Sequence, residues 1–197
     1  VVELARRGYE VTGIDLNRSA IRYLTKRLQR NNLKATVLEA DMVEYICQRK
    51  VDIAINTVST FRHLLTEQAA LAHLQSVAAS LKKGGFYILG LHLLPPDAAL
   101  EDRESWVAKH GQVSVHVTLD AFNACRRKRT ETLRFSMRIK NPTKVRELTT
   151  DYRMRIYTAA QMRSLLAKAP EFELVEVFDF YYEIDAPQPL DNRLGDA

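Results

Sequence analysis

Only two cysteines occur in this 197-residue chain. Cys47 and Cys125 have no CxxC neighbour and no Cys/His ligand spacing. A disulfide scaffold and a thiolate metal centre are therefore excluded, no metal is expected, and a reducing cytoplasm fits. No apolar run reaches the ~18 residues a membrane-crossing helix needs, so no membrane partner is expected. Glycine is scarce, at seven residues, and nowhere gathers into a phosphate-binding loop. Repeats and low-complexity tracts are lacking, and the chain does not open on Met. Neither sign of charge dominates: 29 basic against 24 acidic residues leave +5. That excess permits a nucleic-acid partner without favouring one over a small molecule.

What is present is a 46% hydrophobic chain, enough for a normal core. Val1, Val2, Leu4 and Ala5 read as the tail of a helix. Residues 11–14 read as a short buried strand running into Asp15. Asn17 or Ser19 can cap the next helix, where Ala20, Ile21, Leu24 and Leu28 recur at helical spacing, and Asn31-Asn32 ends it. Residues 35–38 predict a strand, followed by Glu39-Ala40-Asp41-Met42 and a short helix over 43–47. Residues 51–57 are a continuous run of strand length, the pattern of a strand covered by helices on both faces. Thr66 caps a long helix striped by Leu71, Leu74, Ala78 and Leu81. Lys82-Lys83 suit its negative end, and Gly84-Gly85 stop it. Residues 86–91 predict the next strand. Alternating strands and helices describe βαβ units and a parallel sheet.

After Pro95-Pro96 the period changes. Val113, Val115, Val117 and Leu119 alternate with polar residues, as do Leu133, Phe135, Met137 and Ile139. A third alternating run holds Leu148, Thr150, Tyr152, Met154 and Ile156. Three such runs, joined through residues 120–123 and 141–143, predict an antiparallel sheet with one covered face and one basic face. Met154, Ile156 and Tyr152 should then be buried, with Arg153 and Arg155 more exposed. Helical spacing returns after the capping box Thr158-Ala-Ala-Gln161, with Met162, Leu165 and Leu166 as its stripe. Residues 172–180 predict a further strand, and 185–197 a polar loop or tail.

The sharpest feature is Asp15. An acid closing such a strand accepts hydrogen bonds from ribose hydroxyls, and its usual partner is a glycine-rich turn about 20 residues upstream. That point falls before Val1, so the chain is expected to be a piece that starts just after its cofactor loop, with one more strand expected beyond Ala197.

Four segments in order carry a resemblance. They are Val11-Thr-Gly-Ile-Asp15-Leu16, Glu39-Ala-Asp41-Met42, the stretch from Val51 through Asn56-Thr57-Val-Ser59-Thr-Phe61-Arg-His63, and Leu81-Lys-Lys-Gly84-Gly85. Together they resemble a class I S-adenosylmethionine-dependent methyltransferase. The resemblance implies a doubly wound, Rossmann-like α/β sheet over 1–94 and 157–184, with residues 95–156 as an antiparallel β insertion or lid. It implies S-adenosylmethionine as cofactor, with Asp15 and Leu16 at the ribose, Asp41 and Met42 at the adenine, and Asn56 and Thr57 at the methionine end.

His63 is the catalytic candidate, because it follows a strand end and titrates near neutrality. Phe61, His63 and Tyr152 are the candidate acceptor contacts. His92 closes a strand and could face the cleft; His116 reads as solvated; Trp106 reads as core or pocket. The expected reaction is in-line methyl transfer to a small-molecule N or O acceptor. An RNA or protein methyltransferase is the alternative, using Arg134, Arg138, Arg153 and Arg155 toward phosphates; a non-catalytic nucleotide-binding scaffold is another. A second copy of the chain could cover the insertion's apolar face, making a homodimer.

Overall fold

Asn17 sets the start of the second helix. Its side chain accepts hydrogen bonds from the amides of Ser19 and Ala20 at 2.9 and 3.2 Å, satisfying donors that a first helical turn leaves unpaired. The computed structural model describes residues 1–180 and 183–191. The elements are α1 (Val2–Arg6), β1 (Thr12–Asp15), α2 (Arg18–Arg30), β2 (Thr36–Glu39), β3 (Val51–Asn56), a 3-10 turn (Thr60–His63) and α3 (Glu67–Ser80). Then come β4 (Leu81–Leu89), β5 (Asp102–His110), β6 (Val113–Cys125), β7 (Thr130–Lys140), β8 (Val145–Arg155) and α4 (Ala159–Leu166). Among the described residues no helix is long and apolar enough to cross a membrane. The chain divides into two compact units: Val1–Ala54 with Ala72–Phe86, and Ile55–Leu71 with the chain from Tyr87 onward.

In the first unit β1 and β2 pair in parallel, from Thr12 opposite Thr36 to Asp15 opposite Glu39. Parallel neighbours need a crossover, which α2 supplies, with Leu28 buried beneath it. The helix expected over 43–47 is instead the end of a turn over 42–44 followed by irregular chain. Five residues cannot repay helix nucleation by themselves, and α3 holds this segment from the side. Ser76 donates to the Val43 carbonyl, and Ser80 Oγ accepts the Cys47 amide at 2.9 Å. α3 ends at Ser80 and β4 begins at once, so Lys82 through Gly85 belong to a strand and not to a helix end. Lys82 pairs with Asp52 at 2.8 Å. A Cβ on Gly85 would stand 2.8 Å from the Asp52 carbonyl oxygen, so glycine permits this approach. β3 and β4 form a two-stranded sheet. Contrary to the expectation of two covered faces, Ile53, Ile55, Phe86 and Ile88 are exposed.

The second unit is dominated by an antiparallel sheet ordered β5-β6-β7-β8. It has four strands where the alternation predicted three; the addition, β5, is exposed along its whole length. The expected turn at residues 120–123 lies inside β6. Asn123 does adopt a positive φ of 54°, but it makes an irregularity between Phe122 and Cys125, a bulge in place of a reversal. The chain reverses after Cys125, where Arg129 has φ 54°. Asn141 builds the next turn, its side chain accepting the amides of Thr143 and Lys144.

The register places Trp106, Val117, Met137 and Leu148 in one cross-strand row on the apolar face. The opposite face is not simply basic. Arg103 pairs with Asp120, Arg134 with Asp151 and Arg138 with Glu147. Met154 and Ile156 are buried and Arg153 exposed, as alternation predicts; Tyr152 is half-buried. Arg155 departs from it, being only 8% exposed, because the segment after β3 covers its side of the strand. Thr158 and Gln161 form the capping box of α4, which buries Met162 and Leu165. Residues 172–180 form no strand. They dock by side chains, Phe172 against Tyr87 and Phe180 stacked on His92 at 4.6 Å, with no backbone ladder. The expected tail falls partly outside the described residues, which end at 191.

Candidate functional site

Two carboxylates emerge at the same end of the β1–β2 pair. Asp15 closes β1, and the Ala40 amide donates to its carbonyl at 3.2 Å, so Asp41 follows directly beyond β2. Both acids are exposed. Asp15 Oδ1 accepts the Asn17 amide at 2.8 Å, and Asp41 Oδ1 accepts the Val43 amide at 2.9 Å. Each thus uses one carboxylate oxygen to close its turn. Glu39, between them in sequence, is instead engaged by Arg18 at 2.7 Å. Leu16 is 65% exposed. Met42 is half-buried, and its carbonyl accepts from His73 Nδ1 at 2.7 Å.

His73 is buried on α3, and sequence reasoning passed over it because it sits in an otherwise ordinary apolar stripe. Burial pushes its pKa down, opposed by the Met42 hydrogen bond and the Asp41 charge. The unfolded chain therefore takes up more protons than the folded one as pH falls past about 6.5. Stability should decline below that pH, and His73→Gln should flatten the decline, as read by thermal denaturation across pH 5–8.

In the second unit, Asn56 ends β3, its carbonyl accepting the Gly90 amide at 2.9 Å. Its side chain hydrogen-bonds Tyr87, whose hydroxyl is pushed up by burial and partly pulled back by that bond. Thr57 is exposed. Val58 and Ser59 then adopt φ of 57° and 60°, a left-handed conformation that is costly for a β-branched residue. Sequence reasoning missed this strain, since no glycine marks it. The Ser59 amide donates to Gly90 at 2.9 Å, and its hydroxyl accepts the His92 amide at 3.1 Å.

The 3-10 turn follows. Phe61 is fully buried, its ring 5.9 Å from Tyr157. His63 is exposed, its ring 5.5 Å from that of Tyr152. Partial burial and then the Arg62 charge push His63 down. His92 is pushed down by the same two causes, opposed by Glu104 and Glu131. His116 is exposed on the polar face of the sheet. Among the described residues no cluster of His, Cys, Asp and Glu could hold a metal ion.

Acids at the carboxyl ends of parallel strands are a feature of nucleotide-binding α/β folds. Residues 1–85 match the family described as a methyltransferase domain. No curated protein matches the sequence. Among solved structures, DesVI of Streptomyces venezuelae superposes with a TM-score of 0.74 at 17% identity, covering 84% of this chain and 67% of that one. KedS8, a sugar N-methyltransferase from Streptoalloteichus sp ATCC 53650, gives 0.71 at 15% identity over 92% and 68%. CalS10, an amino pentose methyltransferase from Micromonospora echinaspora, solved with S-adenosylmethionine bound, gives 0.70 at 15% over 88% and 70%. At such identities these likenesses speak for the fold, which is Rossmann-like with an antiparallel sheet. The family match covers less than half of the chain, and the fold is one the chain shares with the two solved methyltransferases just described.

Proposed function

We propose that the protein methylates the nitrogen of a small, amino-sugar-like acceptor. The observation that carries this reading is His63, held toward its neutral form and standing beside the Tyr152 ring. The sugar N-methyltransferase and amino pentose methyltransferase named above support the acceptor class.

The cofactor supplies a methyl group already activated on a sulfonium. This chain's residues bind, orient and hold a proton. Asp15 offers the ribose diol a charged acceptor, with Leu16 packing beside it; Asp41 takes the adenine amine, flanked by Met42. Asn56 and Thr57 serve the methionine end. The fit rests on chemistry: each acid keeps one carboxylate oxygen that closes no turn. An ammonium acceptor must lose a proton to expose its lone pair, and a neutral His63 can take it. Alignment of acceptor and methyl supplies much of the remaining rate. Tyr152 meets the acceptor, and the fully buried Phe61 supports that site from behind. The insertion shapes acceptor choice. The exposed Trp106 and Leu148 on its apolar face favour a second copy of the chain as cover.

The test is a panel of amino sugars incubated with the full chain and S-adenosylmethionine, with product mass read for one added methyl. His63→Ala should lower turnover by about 10²–10⁴-fold with cofactor affinity unchanged. Undiminished turnover, or methylation of RNA alone, would overturn the reading.

A further inference from the structure

Two arginines donate to backbone carbonyls across the second unit. Arg62, in the 3-10 turn, donates from Nε to the Arg155 carbonyl at 2.9 Å. Arg155, at the end of β8, donates from Nη1 to the Leu65 carbonyl at 2.7 Å. Each guanidinium thus satisfies backbone beside the other. Both residues are buried, at 6% and 8% exposure. Arg62 also donates from Nη2 to Glu131 of β7, buried as well. Arg155 lies 3.9 Å from Glu67.

Burying charge is a poor way to gain stability, because desolvation offsets much of the attraction, and well-packed apolar residues often do as well. What a forked, charge-assisted contact adds is direction. Here the direction bears on the neighbouring residues. His63 follows Arg62 in sequence, and Tyr152 precedes Arg155 by three residues on β8. Their rings stand 5.5 Å apart.

We infer that Arg62, Glu131 and Arg155 are positioning residues that lock the His63-bearing turn to the inserted sheet, so that His63 and Tyr152 present one fixed surface to the acceptor. The insertion is then no lid that swings past His63; turn and sheet move as one body. The inference rests on the reading of His63 as an acceptor-facing residue.

Nuclear magnetic resonance of the full chain tests the lock without any acceptor. The wild type should show a ring-to-ring Overhauser effect between His63 and Tyr152 and a depressed His63 titration. The apolar replacement R62M/E131L should keep the fold, lose that ring contact and raise the His63 pKa. R62K should weaken the contact while leaving the pKa low, because it keeps the charge and loses the fork. Should the double variant not fold, R62K and E131Q read the same contact. A wild-type ring contact in these variants would overturn the lock. Loss of the contact, beside a His63→Ala enzyme of undiminished turnover, would uphold the lock and remove only the acceptor role of His63.

Discussion

Asp15→Ala should weaken S-adenosylmethionine binding by roughly 1–3 kcal/mol, the cost of leaving ligand hydroxyls without a charged acceptor. The residue is well prepared for that task. Its Oδ1 closes the turn into α2 by accepting the Asn17 amide, which orients the carboxylate before any ligand arrives. Its exposure leaves the carboxylate open to a ligand. Titration calorimetry on the folded variant is the measurement. Glu39→Gln is the control, since Glu39 is already held by Arg18 and should bind cofactor as the wild type does. An Asp15→Ala protein of unchanged affinity would remove Asp15 from the cofactor site.

Phe61→Ala should cost about 3–5 kcal/mol of stability, the usual range for emptying a fully buried aromatic site. The ring has no exposed surface and packs against Tyr157, another wholly buried side chain. Tyr157 already carries the Arg129 guanidinium over its ring at 5.0 Å, so it has little freedom to collapse into the void. Chemical denaturation should show the loss as a lower midpoint, with Phe61→Leu recovering part of it. A variant as stable as the wild type would mean that Phe61 leaves the core and meets the acceptor directly.

The α/β half of the chain was legible because its signals are local. Asn17 caps α2, Thr158 and Gln161 cap α4, and Asp15 ends a strand, all within a few residues of sequence. What escaped was set by distant partners or by their lack. Residues 43–47 carry a plausible helical run, yet Ser76 and Ser80 claim its backbone from α3. β5 escaped because no face of it is buried, so nothing imposed apolar-polar alternation on Asp102, Arg103 and Glu104. Arg155 sits at an outward position by period, and only a contact 90 residues away, with Leu65, turns it inward. The same distance hid the Arg62–Glu131 pair, 69 residues apart. Asp15 could be named from its place at a strand end, and Asp41 from the family resemblance; the ring partner of His63 could be named, but not its proximity.

The open flank of β5 bears on how the protein behaves at high concentration. Trp106 and Val107 offer adhesive side chains, and an edge strand's free backbone groups invite a strand from another molecule. Around that stretch stand Arg103, Glu104 and Lys109, all exposed. An incoming strand would have to strip water from these charges before it could zip on, so they act as gatekeepers against fibre-like stacking. The charges that made β5 hard to recognise as a strand are what keep it from recruiting another.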